Sequence, residues 1–222
     1  MHLQLQRVEV GPWPMNCYLL RCPKTELVAV VDPGADAQVI MAAVGSAQVP
    51  CILLTHGHPD HVGALEEVRQ ATGAPVGIHP ADAAAFELEA DFPLTDGMVV
   101  EVGKGRVSVS HVPGHTAGSV CLQLNGNGTA VWPWRRETPA YRPDRAVVGD
   151  AIFPGGPGHT ATADALAQSL VSLGQTIFSW PDQTELFPGH GDSTTVGFER
   201  PFFERFLQAD HPPDLCGDVS WR

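Results

Sequence analysis

Three imidazoles and a carboxylate fall within six residues of one stretch, Thr55-His56-Gly57-His58-Pro59-Asp60-His61. Neutral imidazole nitrogens and carboxylate oxygens are borderline ligands that suit zinc, iron or manganese rather than copper(I), which prefers thiolate. A single histidine at such a place reads as a cap or a surface residue. The chain has only 10 histidines in 222 residues, so three in six positions mark a metal site. The stretch follows the apolar run Cys51-Ile52-Leu53-Leu54, which predicts a buried strand. The segment after it, Val62 to Arg69, has apolar residues at helical spacing. The histidines therefore sit on a strand-to-helix turn, at the carboxyl end of a strand, where open α/β sheets place their ligands. In an extended His-x-His both side chains project to the same side. Asp60 and His61, at the helix start, face another direction. One tight loop can thus supply two neighbouring sites, His56 with His58 and Asp60 with His61.

Three further candidates stand where apolar runs break into glycine turns. They are His115 in Val112-Pro113-Gly114-His115-Thr116, Asp150 in Val148-Gly149-Asp150, and His190 in Phe187-Pro188-Gly189-His190. Proline and glycine fix the backbone before each histidine, as a preorganised ligand requires. Taken singly, each reads as an ordinary turn residue. Beside the histidine-rich loop they become the missing members of a two-metal site. His79 also ends a short apolar run, but a lone histidine before proline reads as a polar rim residue.

The elements that must hold these groups follow from periodicity. Residues 3–10 alternate as a half-buried strand, and 15–21 and 26–31 form two more. A helix is expected over 37–44, then the strand that delivers His56. Residues 76–79 read as a strand and 81–89 as a helix. Residues 98–102, 106–112 and 119–124 read as hairpin strands, with Asn125-Gly126-Asn127-Gly128 as a tight turn. Strands at 146–153 and 185–187 and helices over 164–178 and 198–209 follow, and the tail from His211 is expected to be loosely held. Residues 132–145 interrupt this rhythm with three prolines, three aromatics and four arginines. They read as an irregular surface loop, with a substrate lid or an oligomer contact as the competing readings. No linker divides the chain. Residues 1–222 are therefore expected to form one domain with that insert, a pseudo-symmetric sandwich of mixed sheets with helices outside.

Composition narrows the partners. A net charge of −12 argues against nucleic acid and against an anionic membrane surface. No apolar run approaches the ~18 residues of a membrane span. The first residues, Met1 to Arg7, lack the apolar core of a secretory signal. Five cysteines, scattered and without a C-x-x-C pair, read as reduced thiols packed as small hydrophobes, which places the chain in the cytoplasm.

Four motifs in order, Thr55 to His61, Pro113-Gly114-His115-Thr116, Gly149-Asp150 and Gly189-His190-Gly191, resemble the metallo-β-lactamase superfamily over essentially the whole chain. The resemblance implies an α/β fold, a four-layer αβ/βα sandwich with metals at one edge. It implies His56, His58 and His115 on a first metal, Asp60, His61 and His190 on a second, and Asp150 bridging. Two Zn²⁺ ions are implied, with iron or manganese as substitutes. The stretch Gly149-Asp150-Ala151-Ile152-Phe153-Pro154-Gly155-Gly156 is most similar to the glyoxalase II (hydroxyacylglutathione hydrolase) branch. That branch has a basic residue after its glycine loop, where His159 stands here, and an aromatic at the place of Ala161.

The implied chemistry is hydrolysis of a small-molecule thioester, ester or lactone by a metal-activated hydroxide, with Asp60 also orienting the nucleophile. His159, Arg135 and Tyr141 are the candidate substrate contacts. Thr116 and Asp192 are candidates for fixing imidazole tautomers. A rival on the same fold is a mononuclear iron persulfide dioxygenase, using His56, His115 and Asp150. Lactonase and other hydrolytic activities of the superfamily are further readings, and a non-catalytic scaffold is disfavoured by the intact ligand set.

Overall fold

The computed structural model describes residues 2–124 and 144–222. The turn expected at 125–128, Arg135, Tyr141 and nearly all of the insert lie outside the described residues. The first half runs β1 (Gln4–Val10), β2 (Met15–Arg21), β3 (Val28–Val31), α1 (Ala37–Val44), β4 (Ile52–Leu53), α2 (Pro59–Val62), α3 (Leu65–Thr72), β5 (Val76–Ile78), α4 (Pro80–Ala85) and β6 (Phe92–Pro93). These strands form one sheet in chain order, antiparallel from β1 to β3 and parallel from β3 to β6.

The second half runs β7 (Val99–Val102), β8 (Gly105–His111), β9 (Val120–Leu124), β10 (Arg145–Gly149), the small hairpin β11 (Ile152–Phe153) and β12 (Gly156–Pro157), α5 (Ala163–Gln175), a 3₁₀ turn at Ile177–Ser179, β13 (Glu185–Pro188), β14 (Thr194–Thr195) and α6 (Val196–Gln208). Its sheet has the order β14-β13-β10-β9-β8-β7, antiparallel except for the β10–β13 pair.

Alternation along the strands builds the layers, because successive side chains leave opposite faces. In β2, Cys17 and Leu19 join a core that includes Ile40 of α1 and Val68 of α3, whereas Tyr18 and Leu20 join the core between the sheets. In β10, Val147 faces that middle core, and Ala146 and Val148 face a third one with Leu173 of α5 and Phe203 of α6. The result is helix, sheet, sheet, helix: the four-layer αβ/βα sandwich expected.

The helix expected after the histidine loop is broken in two at Gly63-Ala64, where the Ala64 amide donates to the Pro33 carbonyl at 2.9 Å and a Cβ on Gly63 would lie 2.4 Å from the Gly34 carbonyl oxygen. The helix expected from 198 starts at Val196, because the Thr195 hydroxyl caps it by accepting from the Phe198 amide at 3.2 Å. Cys216 is exposed, unlike the four other cysteines, which are buried free thiols as expected.

The C-terminal tail is docked rather than loosely held. Trp221 is buried against Phe178 and Phe203, with ring centroids 6.1 and 5.7 Å away. Its indole N–H donates to Glu199 at 3.0 Å, and the Arg222 guanidinium meets the same carboxylate at 2.6 Å. Glu199 is fully buried, and an interior carboxylate needs such partners. Replacing Trp221 with Ala is expected to cost ~3–5 kcal/mol, read from the urea midpoint; an unchanged midpoint would mean that the tail contributes nothing to the third core.

Candidate metal centre

Strand ends of both sheets meet at one edge and carry the polar cluster. The loop after β4 brings His56, His58, Asp60 and His61. The turn after β8 brings His115, held at Pro113, whose carbonyl accepts from Ser172 of α5 at 2.8 Å. Asp150 follows β10 through Gly149, whose φ of +50° suits glycine and where a Cβ would lie 2.4 Å from Thr55 Oγ1. His190 follows β13. Its loop is tied to the opposite sheet by buried Asn16 and Tyr18, which donate to the Pro188 carbonyl at 3.0 and 2.6 Å.

Ligand atoms of His56, His58 and His115 lie within 4.8 Å of one another, and so do those of Asp60, His61 and His190. His115 Nε2 is 3.3 Å from His56 Nε2 and 2.8 Å from His58 Nδ1. His190 Nε2 is 3.0 Å from Asp60 Oδ2. Asp150 lies between the two groups: Oδ1 is 3.3 Å from His61 Nε2, and Oδ2 is 3.8 Å from His115 and 3.7 Å from His190. All seven residues expected at the metals are therefore brought together. Gly189 permits this, since a Cβ there would sit 2.2 Å from Asp150 Oδ1.

The scaffold decides which ring nitrogen each histidine offers. His61 Nδ1 is 3.1 Å from the Asp32 carboxylate, His115 Nδ1 donates to the His159 carbonyl at 2.8 Å, and His190 Nδ1 donates to the Pro14 carbonyl at 3.0 Å. The Thr55 hydroxyl donates to Asp32 Oδ2 at 2.6 Å, so its oxygen accepts from His56 Nδ1 at 3.1 Å. Four histidines thus turn Nε2 inward, and His58 turns Nδ1 toward His115. Outer hydrogen bonds of this kind orient metal-bound imidazoles.

The donor set fits divalent cations. His61 Nε2 and Asp150 Oδ1 are buried without a hydrogen-bond partner, an arrangement that is costly unless a cation lies between them. The 3.3 Å between His115 Nε2 and His56 Nε2 is about the separation of tetrahedral ligands ~2.0–2.1 Å from a metal, and His58 Nδ1 lies closer, 2.8 Å from His115 Nε2. Burial, then the neighbouring imidazoles, hold His56 well below its usual pKa, as a ligand requires; burial and His115 lower His58 in the same sense. Burial opposes a charge on His61, but the Asp150 and Asp32 carboxylates at its two nitrogens outweigh it and push it up to about 10. Burial would raise Asp150, yet His61 and the imidazoles around it hold it low. A divalent cation at His61 Nε2 would take the place of that proton.

Asp32, His56 and His61 also come within 4.8 Å. Asp32 is not a ligand candidate there, because its oxygens already accept from the Thr55 amide, the Thr55 hydroxyl and His61. It sits at a φ of +50°, strained for a non-glycine residue, which aims the carboxylate beneath the loop. The sequence reading missed its role, although an acid ending an apolar strand is the same signal that marked Asp150.

Thr116 and Asp192 do not fix tautomers. The Thr116 hydroxyl donates to Asp82, and Asp192 is an exposed partner of Arg7 at 3.7 Å. The His159 side chain is exposed and pairs with Asp218 at 3.0 Å; it is the His159 carbonyl that serves the cluster. His79 caps α4 and stacks on His111, away from the ligand set.

A family model described as the metallo-beta-lactamase superfamily matches residues 10–131. The chain belongs to the metallo-beta-lactamase superfamily. A hydroxyacylglutathione hydrolase of Anaeromyxobacter dehalogenans is 34% identical over 73% of the chain and 56% of that relative. The hydroxyacylglutathione hydrolase GloC of Haemophilus influenzae is 25% identical over 89% of the chain and 95% of its own length. Among solved structures, the B3 metallo-beta-lactamase BLEG-1 superposes with a TM-score of 0.72 at 25% identity, covering 89% of this chain and 97% of that one. TTHA1623 in a di-iron-bound form gives 0.68 at 28%, covering 88% and 96%. ETHE1 from Myxococcus xanthus gives 0.71 at 25%, covering 89% and 81%. Membership and the converging His/Asp cluster make this superfamily protein a metal-binding, metallo-hydrolase-type enzyme. No helix among the described residues is long and apolar enough to cross a membrane.

Proposed function

We infer that this protein is a dinuclear metal-dependent hydrolase of the glyoxalase II type, cleaving a thioester of hydroxyacylglutathione character or a related ester or lactone. The observation that carries the reading is the Asp150 carboxylate, one oxygen at His61 and the other between His115 and His190. His56, His58 and His115 would hold one divalent cation, Asp60, His61 and His190 the other, with Zn²⁺ the expected metal. When bound, such a pair supplies a hydroxide nucleophile near neutral pH and polarises a carbonyl oxygen. Asp60 is half-exposed and held to His190 through one oxygen, so it can accept a hydrogen bond from the attacking water and orient it. Departure of a thiolate needs no proton from the protein, which suits a thioester. The hydroxyacylglutathione hydrolases among the relatives support the same substrate class.

A second reading is a mononuclear iron persulfide dioxygenase. It rests on His115 Nε2 lying 3.3 Å from His56 Nε2 and 3.8 Å from Asp150 Oδ2, and iron as the metal is supported by the iron-bound form of a neighbour with this fold. The two readings separate on protein purified without added metal. Two zinc ions per chain and turnover of S-D-lactoylglutathione, simple thioesters or lactones are expected. Oxygen uptake with glutathione persulfide at one iron per chain would overturn the hydrolase. A small-molecule substrate, a cytoplasmic setting and no nucleic-acid or membrane partner belong to the same proposal, supported by the acidic charge and the free thiols. So does a homo-oligomer, which sedimentation tests.

A further inference from the structure

Beneath the histidine loop lies a second buried carboxylate, Asp82, that takes no part in the chemistry described above. It is 0% exposed. Oδ1 accepts from the Gly118 amide at 2.6 Å, and Oδ2 accepts from the Gly57 amide at 3.0 Å and the Thr116 hydroxyl at 2.8 Å. Gly57 is the residue between His56 and His58, and Thr116 follows His115. One carboxylate on α4 therefore joins the two loops that carry the three imidazoles of the first cluster.

The surrounding packing leaves this joint little play. A Cβ at Gly118 would lie 2.6 Å from Asp82 Oδ1, and one at Gly57 would lie 2.3 Å from the Phe86 ring, which follows α4 and meets His58 edge-on. Asp82 and Thr116 cannot exchange roles freely either. The Ser119 hydroxyl accepts from the Thr116 amide at 3.1 Å and lies 2.7 Å from Thr116 Oγ1, so the chain of donors runs Ser119 to Thr116 to Asp82. All three groups that reach Asp82 are donors, a pattern that an ionised carboxylate satisfies and an amide does not.

We propose that Asp82 is a positioning residue for the first cation site, setting the spacing of His56, His58 and His115 by tying their two loops to α4. It is the counterpart of Asp32, which contacts His61 and, through Thr55, His56. The proposal rests on reading those three histidines as a cation site. It predicts an effect concentrated at that site, since Asp82 meets the loop after β4 at Gly57, between His56 and His58, and bonds none of Asp60, His61 and His190.

The test uses Co²⁺ titration of the full chain in two backgrounds, His190→Ala to isolate the first site and His58→Ala to isolate the second. Adding Asp82→Asn to the first background is expected to raise the Co²⁺ dissociation constant ~10–100-fold and change the d–d spectrum. In the second background it is expected to leave both within twofold. Equal weakening in both backgrounds, or an unchanged first site, overturns the proposal. Should Asp82→Asn fail to fold, Thr116→Val carries the same comparison: it keeps the carboxylate and both amide bonds, and a smaller loss limited to the first site supports the proposal, whereas no loss overturns it. A parent chain that takes up no Co²⁺ at all overturns the cation site itself, a result distinct from either.

Discussion

Asp150→Asn is expected to lower metal content from two cations per chain to one or fewer and to cut kcat/KM by at least ~10²-fold, about 2.7 kcal/mol of transition-state stabilisation. The substitution keeps the side-chain shape but replaces one oxygen with an NH₂ donor and removes the charge. Both oxygens matter: one faces His61 Nε2 at 3.3 Å, the other faces His115 and His190 at 3.8 and 3.7 Å. An amide nitrogen pointed at either cluster would present hydrogens where a cation needs a lone pair. Elemental analysis beside steady-state kinetics checks both halves of the expectation. Two retained cations with near-normal turnover would remove Asp150 from the bridge and favour two independent sites.

The second large effect is expected at Asp32. Its carboxylate is 1% exposed and accepts from the Thr55 amide at 2.7 Å, the Thr55 hydroxyl at 2.6 Å and His61 Nδ1 at 3.1 Å. Asp32→Ala would strand three buried donors at once. A loss of ~3–5 kcal/mol in the metal-free protein is expected, because breaking a buried charged pair leaves its partner uncompensated. Asp32→Asn is expected to fold better yet still weaken metal binding ~10–100-fold, since the groups that select the His56 and His61 tautomers lose their common acceptor. Urea unfolding of metal-free protein and competition with a chelator separate the two effects. A metal affinity unchanged in Asp32→Asn would show that the tautomers are set elsewhere.

The three substitutions argued for Asp150, Asp32 and Asp82 divide the cluster by function. Asp150 touches both candidate cation positions, Asp32 organises His61 and His56 from below, and Asp82 ties the His115 loop to the His56–His58 loop. The free-energy consequences differ accordingly: loss of ligation, loss of fold stability together with affinity, and loss of spacing at one site.

Much of the site was legible in the residues themselves. His56, His115, Asp150 and His190 each follow an apolar run, where a strand must stop and its side chains can leave the sheet, and His58, Asp60 and His61 crowd the same turn as His56. Of the two Asp residues beneath the loop, Asp32 carries the same strand-end signal as Asp150, whereas Asp82 carries none. Asp82 lies in an alanine-rich segment with no periodic or motif signal, and its meaning comes from Gly57 and Gly118, 25 and 36 residues away. The tail was misread for a related reason. Residues after His211 show no helical or strand pattern, so nothing local indicates that Trp221 enters a core built from α5, α6 and their neighbours.

Local pattern was enough to determine the alternation of strands and helices, the sandwich they build and the metal-ligand chemistry of the His and Asp residues, because periodicity and turn residues act over a few positions. Tertiary structure alone decided which nitrogen each histidine offers and which carboxylates support the loops from beneath. Those outcomes depend on hydrogen bonds between segments up to 176 residues apart, as in the bond from His190 to the Pro14 carbonyl. The direction of such a bond is set by where two loops meet after the sheets have packed, and no spacing along the chain encodes that.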